Sequence, residues 1–273
     1  MRFGPATEDR ADADYVVRGV PLDATGSFRR GYARGPARIR ELSRSYESWV
    51  PGPDVDLADL PIHDAGDVDA WHDAEEVVDF TAGVVADDVA DGAVPVLLGG
   101  EHTVSVAGIR ATDPDVVVSL DAHLDLKREH RGERIHHGCV GSLALEEGAE
   151  LVVAGARSGT ETEYERAAER PDITVLEAEV LGDGAVLDHV PDDAAVYLSV
   201  DLDVVDPGSA PGVGTPEPCG VRPTAVRDAV AAIAPRAVGF DVVECVPAYD
   251  EGETTAALAA HLVGTFVAHH SGG

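Results

Sequence analysis

Short apolar runs recur along this chain, each closing on acids, glycine or proline, and helical spacing fills the intervals between them. Tyr15-Val16-Val17-Arg18-Gly19-Val20-Pro21 predicts a first strand. Val94-Pro95-Val96-Leu97-Leu98-Gly99-Gly100 predicts a second, buried one that ends in a glycine pair, where the backbone can approach a neighbour closely. Val116-Val117-Val118 and the run 195–200 predict two more, and further strands are expected over 150–154, 173–176 and 237–243. Gly35-Pro36-Ala37-Arg38-Ile39-Arg40-Glu41-Leu42 opens a helix with proline in its first turn. Helical patterns also cover 74–90, 161–169, 221–233 and 253–269. Strand and helix alternate from end to end, which implies an α/β chain with a mainly parallel sheet covered on both faces. No linker, repeat or low-complexity stretch interrupts the pattern, so a single domain over 1–273 is expected.

Two of the runs end in acids at alternate positions. After Ser119-Leu120 come Asp121, His123 and Asp125; alternate residues of an extended chain share a face, so the three project together where the strand ends. The run 195–200 leads in the same way into Asp201-Leu202-Asp203. Side by side in one parallel sheet, these carboxylates converge at its carboxyl edge, where they repel unless cations balance them. His102, after Gly99-Gly100-Glu101, joins that edge.

The candidate donors are therefore His102, Asp121, His123, Asp125, Asp201 and Asp203. Oxygen and imidazole without thiolate disfavour structural zinc and suit Mn²⁺ or a similar ion. Six donors exceed what one such ion takes from protein, so two ions bridged by shared carboxylates fit better. Such a pair can generate hydroxide at neutral pH and orient a substrate. The glycine-containing loop over 23–31 follows a strand's carboxyl end, and either reaches into the site or is a solvated connector.

Composition narrows the partners. At 273 residues and 44% hydrophobic the chain can bury a large core, and its formal net charge of -31 excludes nucleic acid and anionic membrane surfaces as general partners. The only lysine is Lys127, and every other basic side chain apart from histidine is arginine, a bias that resembles proteins of salt-loving microbes. In roughly molar salt the Debye length is only about 3 Å, so the acidity reads as a solubility device and not as long-range steering. The start of the chain lacks an apolar signal region, and no stretch approaches the roughly 18 apolar residues of a membrane helix, so the cytoplasm is expected. Cys139, Cys219 and Cys245 are too few for a disulfide framework and are expected as small buried hydrophobes.

Four motifs stand in order: Gly99-Gly100-Glu101-His102; Ser119-Leu120-Asp121-Ala122-His123-Leu124-Asp125; Ser199-Val200-Asp201-Leu202-Asp203-Val204-Val205-Asp206-Pro207; and Gly239-Phe240-Asp241-Val242-Val243-Glu244. With Gly19-Val20-Pro21-Leu22-Asp23 and Arg34-Gly35-Pro36-Ala37-Arg38-Ile39-Arg40, they make nearly the whole chain resemble the ureohydrolase family of arginase and agmatinase, most closely the agmatinase branch. The resemblance implies a three-layer α/β/α fold with an eight-stranded parallel sheet and two Mn²⁺ ions. His102, Asp121, Asp125 and Asp201 would hold one ion; Asp121, His123, Asp201 and Asp203 would hold the other. It also implies that Glu244 binds the substrate guanidinium, that Asp125 stabilises the tetrahedral intermediate, and that His137 carries a proton to the leaving amine. His130 and His136 are nearby alternatives for that last role.

Within the family, arginases carry an asparagine-containing stretch ahead of their loop histidine, and none precedes His137 here. The resemblance therefore points to agmatine, a small cationic guanidino compound, with putrescine and urea as products. One segment departs from the family: Cys219-Gly220-Val221-Arg222 puts arginine where a threonine is usual. An outward arginine would be harmless, whereas an inward one would disfavour a cationic substrate. 4-Guanidinobutyrate, aminopropylagmatine and arginine remain alternatives, and a non-catalytic metal-binding relative is a further one. A homotrimer or hexamer is implied by the resemblance alone.

Overall fold

The structure, a computed structural model of the chain, describes residues 1–71, 73–178, 181 and 185–272. In chain order the main elements are β1 (Tyr15–Val20), α1 (Gly35–Leu42), β2 (Trp49–Val50), β3 (Val55–Asp56), β4 (Ile62–Asp67), α2 (Ala74–Ala90), β5 (Val94–Gly99), α3 (Ser105–Thr112) and β6 (Val116–Leu120). They continue with α4 (Val140–Glu146), β7 (Glu150–Ala154), α5 (Glu161–Glu169), β8 (Ile173–Leu176), β9 (Val196–Asp201), α6 (Pro223–Ile233), β10 (Ala237–Val243) and α7 (Thr254–Ser271).

Eight strands form one parallel sheet in the order β4-β1-β5-β10-β9-β6-β7-β8, and β2 and β3 pair separately as an antiparallel ribbon. Helices α2, α3 and α4 pack in succession, and α7 packs on α1 and α6, so the sheet lies between helical layers. The central strands are apolar because both faces are covered. Every residue of β6 and β9 is buried, and replacing one such side chain, Leu98 of β5, by alanine is expected to cost about 2–5 kcal/mol. Helix α6 buries Ala225, Val226, Ala229, Val230 and Ile233, the stripe that a 3.6-residue period presents to a core.

The sheet order decides where chemistry can sit. Consecutive strands β5 and β6 are not neighbours, because β10 and β9 enter between them. Open parallel sheets bind ligands in the crevice at such a reversal, beyond the carboxyl ends of the strands. The register aligns those ends: Leu120 pairs with Val200 and Val243 with Asp201, so Asp121, Asp201 and Glu244 emerge at nearly one level.

The structure differs from the sequence expectation in a few places. Strand β4 reads Ile-His-Asp-Ala-Gly-Asp, too polar to stand out, and it forms an edge. Helix α6 begins at Pro223 with Arg222 as its N-cap, and α7 begins at Thr254. Cys139 and Cys245 are buried as expected, but Cys219 is exposed, on a left-handed turn with φ 63°. No helix among the described residues is long and apolar enough to cross a membrane.

Candidate active site

The glycine pair after β5 is the first positioning device. A Cβ on Gly100 would lie 2.0 Å from the carbonyl oxygen of Leu22, so only glycine lets the two segments meet. The backbone zips there: Gly100 N donates to Val20 O at 2.7 Å, Glu101 N to Leu22 O at 3.0 Å, and Glu244 N to Gly100 O at 2.8 Å. This contact brings the start of the 23–31 loop, the turn bearing His102 and the end of β10 to one place. Asp125 and Glu244 both adopt left-handed backbone, at φ 48° and 67°. Conformations of this kind cost about 1–3 kcal/mol and persist where surrounding contacts hold them.

His102, Asp121, His123, Asp125, Asp201 and Asp203 converge as the sequence predicts. His102 Nδ1 lies 3.0 Å from Asp125 Oδ2, 3.2 Å from Asp121 Oδ2 and 3.5 Å from Asp201 Oδ2. His123 Nδ1 lies 3.0 Å from Asp203 Oδ2 and 3.6 Å from Asp121 Oδ1. Two donor groups result: His102, Asp121 and Asp201, and then Asp121, His123 and Asp203, with the ligand atoms of each group within 4.8 Å of one another. Asp121 belongs to both.

Such crowding governs the proton affinities. Burial, followed by the charges of Asp203, Asp121 and Glu244, raises Asp201 well above the carboxylate range. Burial and then the charge of Asp121 push Asp125 up to about 6. Burial opposes a proton on His123, yet Asp203 and Asp121 override it and raise the imidazole to about 12. Asp121 moves the other way, because its bonds to His102 and His123 outweigh burial. Four carboxylates clustered this closely, two of them with raised proton affinity, fit divalent cations, which would displace those protons and balance the charge.

The histidines are oriented from behind. Ser199 Oγ donates to Asp241 Oδ1 at 2.7 Å and lies 3.2 Å from His102 Nε2, so that nitrogen carries the hydrogen and Nδ1 faces the carboxylates. Tyr197 donates its hydroxyl to the other oxygen of Asp241 at 2.7 Å. His123 Nε2 lies 3.4 Å from Glu217 Oε1 without making a hydrogen bond.

A cavity of about 200 Å³ opens over the donors. Glu244, only 3% exposed, lines it and accepts from His102 N at 2.8 Å; burial and then the charge of Asp203 push its carboxyl up to about 8. His130, His136 and His137 line it too, with ring centroids 4.3 Å apart in each successive pair. Burial, helped by the neighbouring histidine, pushes His137 down to about 3 and His136 to about 4. The 23–31 loop does reach in: Ser27 Oγ lies 2.8 Å from His137 Nε2.

Arg222 is exposed at the N-cap of α6 and is not among the cavity's lining residues. Lys127 does line it. Sequence reasoning singled out neither Thr25, Ser27, Glu101, Ser199 nor Asp241, although the last three stand inside the quoted motifs.

A family model described as the Arginase family matches residues 13–268. The chain belongs to the arginase family. An agmatinase of Pyrococcus horikoshii is 34% identical over 262 residues, covering 94% of this chain and 92% of that protein. An N(1)-aminopropylagmatine ureohydrolase of Thermococcus kodakarensis is 35% identical over 257 residues, covering 92% and 88%. The crystal structure of agmatine ureohydrolase of Thermoplasma volcanium superposes with a TM-score of 0.91 at 35% identity, covering 99% of this chain and 94% of that one. That structure shares the architecture over nearly the whole of this chain.

Proposed function

We propose that this single ureohydrolase domain hydrolyses the guanidino group of agmatine to putrescine and urea with two Mn²⁺ ions. That it is a hydrolase of guanidino groups follows from its family and relatives. The observation that carries the finer reading is the pair of donor groups sharing Asp121, with Glu244 facing the same cavity. His102, Asp121, Asp125 and Asp201 would hold one ion, and Asp121, His123, Asp201 and Asp203 the other. Oxygen and imidazole donors without thiolate suit Mn²⁺. Bound there, the ions would supply Lewis acidity and activate water at neutral pH.

The chain's own residues do the rest. A guanidinium is planar and cationic; its charge would draw the proton off the buried Glu244 carboxyl, and the resulting carboxylate holds it and fixes its central carbon over the donors. Asp125, at the cavity's edge, stabilises the cationic nitrogens as that carbon becomes tetrahedral. His137 is neutral at pH 7 and can take the proton from the attacking water. It then passes that proton to the departing nitrogen as the carbon–nitrogen bond breaks, which releases the amine and urea. We read the enzyme as cytoplasmic and homo-oligomeric, a trimer or hexamer, which sedimentation would check.

Lys127 favours a second reading, a substrate with a carboxylate at its far end such as 4-guanidinobutyrate. The chain's only lysine lines the cavity with a 35% exposed side chain, 3.8 Å from Glu163 Oε2. Glu163 meanwhile accepts from Leu126 N at 3.0 Å and Thr160 Oγ1 at 2.8 Å, so at 3.8 Å the ammonium is paired with it by charge but not by a hydrogen bond, and can turn to a ligand. Urea release from agmatine, 4-guanidinobutyrate and arginine, with Mn²⁺ and near-molar salt, decides between them. Urea from agmatine alone upholds the first reading; urea from 4-guanidinobutyrate, lost in Lys127→Glu, upholds the second. No urea from any of the three, in folded protein loaded with metal, overturns both.

A further inference from the structure

Glu101 stands at the head of the sheet's crevice, belongs to neither donor group and is not among the residues lining the cavity over them. It is 0% exposed, and its oxygens are occupied by its neighbours. Thr25 N donates to Oε2 at 2.8 Å and to Oε1 at 3.0 Å, Thr25 Oγ1 donates to Oε1 at 2.8 Å, and Thr103 Oγ1 lies 3.3 Å from the same atom. A buried carboxylate is costly unless it is fully bonded. Here most of the bonding comes from one residue, Thr25, near the start of the 23–31 loop.

Thr25 passes the constraint on. Its hydroxyl, with its hydrogen committed to Glu101, accepts the backbone N–H of His137 at 3.1 Å. Two residues further along the loop, Ser27 Oγ meets the imidazole of the same histidine at 2.8 Å. His137 opens a short 3-10 turn, His137–Cys139, that leads into α4, and these bonds, across more than a hundred residues of chain, tie its backbone and its ring to the 23–31 loop.

We propose that Glu101 is a positioning residue for His137, acting through Thr25: the buried carboxylate anchors the 23–31 loop, and the loop holds His137 at backbone and ring over the donor groups. This rests on the reading of His137 as the proton carrier. It accounts for a buried acid next to a metal-binding histidine that is itself aimed away from the metal donors.

Thr25→Val keeps the shape and removes the hydroxyl, and Thr25→Ser restores it. In full-length protein, amide hydrogen exchange over the peptide containing His137 is expected to be faster in Thr25→Val and unchanged in Thr25→Ser. With metal content equal to the unsubstituted enzyme, kcat for urea release is expected to fall by about 10–100-fold in Thr25→Val, part of the roughly 10²–10⁴-fold that acid–base catalysis supplies, while KM changes by less than about threefold. Glu101→Gln, which keeps shape but loses acceptor capacity, is expected to move exchange and kcat in the same direction. Unchanged exchange in Thr25→Val, or equal damage in Thr25→Ser, overturns the proposal. Faster exchange with unchanged kcat overturns its link to catalysis through His137. If the unsubstituted enzyme releases no urea, the assigned function fails, whereas the exchange comparison still decides whether the anchor exists.

Discussion

Ser199 on β9 donates its hydroxyl hydrogen to Asp241 on β10 at 2.7 Å, and thereby presents a lone pair to His102 Nε2. The bond dictates which imidazole nitrogen faces the carboxylates. Ser199→Ala is therefore expected to leave the fold intact and to weaken metal affinity by about 10–100-fold, the usual effect of losing such an orienting partner. Competition with a metal chelator measures this, and an affinity equal to that of the unsubstituted protein would show that β9 does not orient the ligand.

Glu244→Gln keeps the shape and removes the charge that faces a substrate cation. kcat/KM is expected to drop by roughly 10²–10³-fold, corresponding to about 3–4 kcal/mol for a buried cation deprived of its partner. Steady-state urea release is the measurement. A loss smaller than about threefold would place the guanidinium elsewhere in the cavity.

His136 predicts a pH effect on stability. Burial and then the charge of His130 push it down to about 4, and its Nδ1 accepts from Gly138 N at 3.1 Å, a bond that protonation would break. The unfolded chain takes a proton near pH 6.5 and the folded chain only near 4, so the unfolded state binds more protons in between. Stability should thus fall as pH drops through that window, by at most about 1.4 kcal/mol per pH unit for this group. Denaturant midpoints for His136→Gln should fall less steeply over the same range; parallel curves would refute the assignment.

The acid excess predicts a salt response. With a net charge of -31, self-repulsion opposes compaction, and screening relieves it. Tm is expected to rise between about 0.1 M and 2 M KCl, the range over which the Debye length shrinks from about 10 Å to below about 3 Å. A flat Tm would mean that the acids are already compensated in the fold.

What sequence could show depended on how each element declares itself. Buried strands such as β6 and β9 carry continuous apolar runs, and the i, i+2 acids at their ends mark one edge of the sheet, so the fold and the clustering of the candidate donors were both legible. Edge strand β4, with His63, Asp64 and Asp67, carries no such run and was not. The parts assigned late are those set by distant partners. Glu101 and Asp241 look like ordinary strand-end and strand-interior acids until the sheet order places Thr25 beside one and Ser199 beside the other. Arg222 shows the converse: its departure from the family raised a question about the substrate, and its exposed N-cap position removes it from the cavity.

Since β10 and β9 enter the sheet between β5 and β6, each donor group draws on segments far apart in the chain; the first needs His102, Asp121 and Asp201 together. The ions would act as a clasp on the finished chain. Occupancy and folding are then one linked equilibrium, in which free metal at about 100 times its Kd adds roughly 2.7 kcal/mol of stability. Stripping the metal should loosen first the rim of the sheet that carries out the chemistry, while the opposite rim, held by contacts that need no ion, such as Tyr15 with His270 and Ala195 N with Asp115, keeps its order.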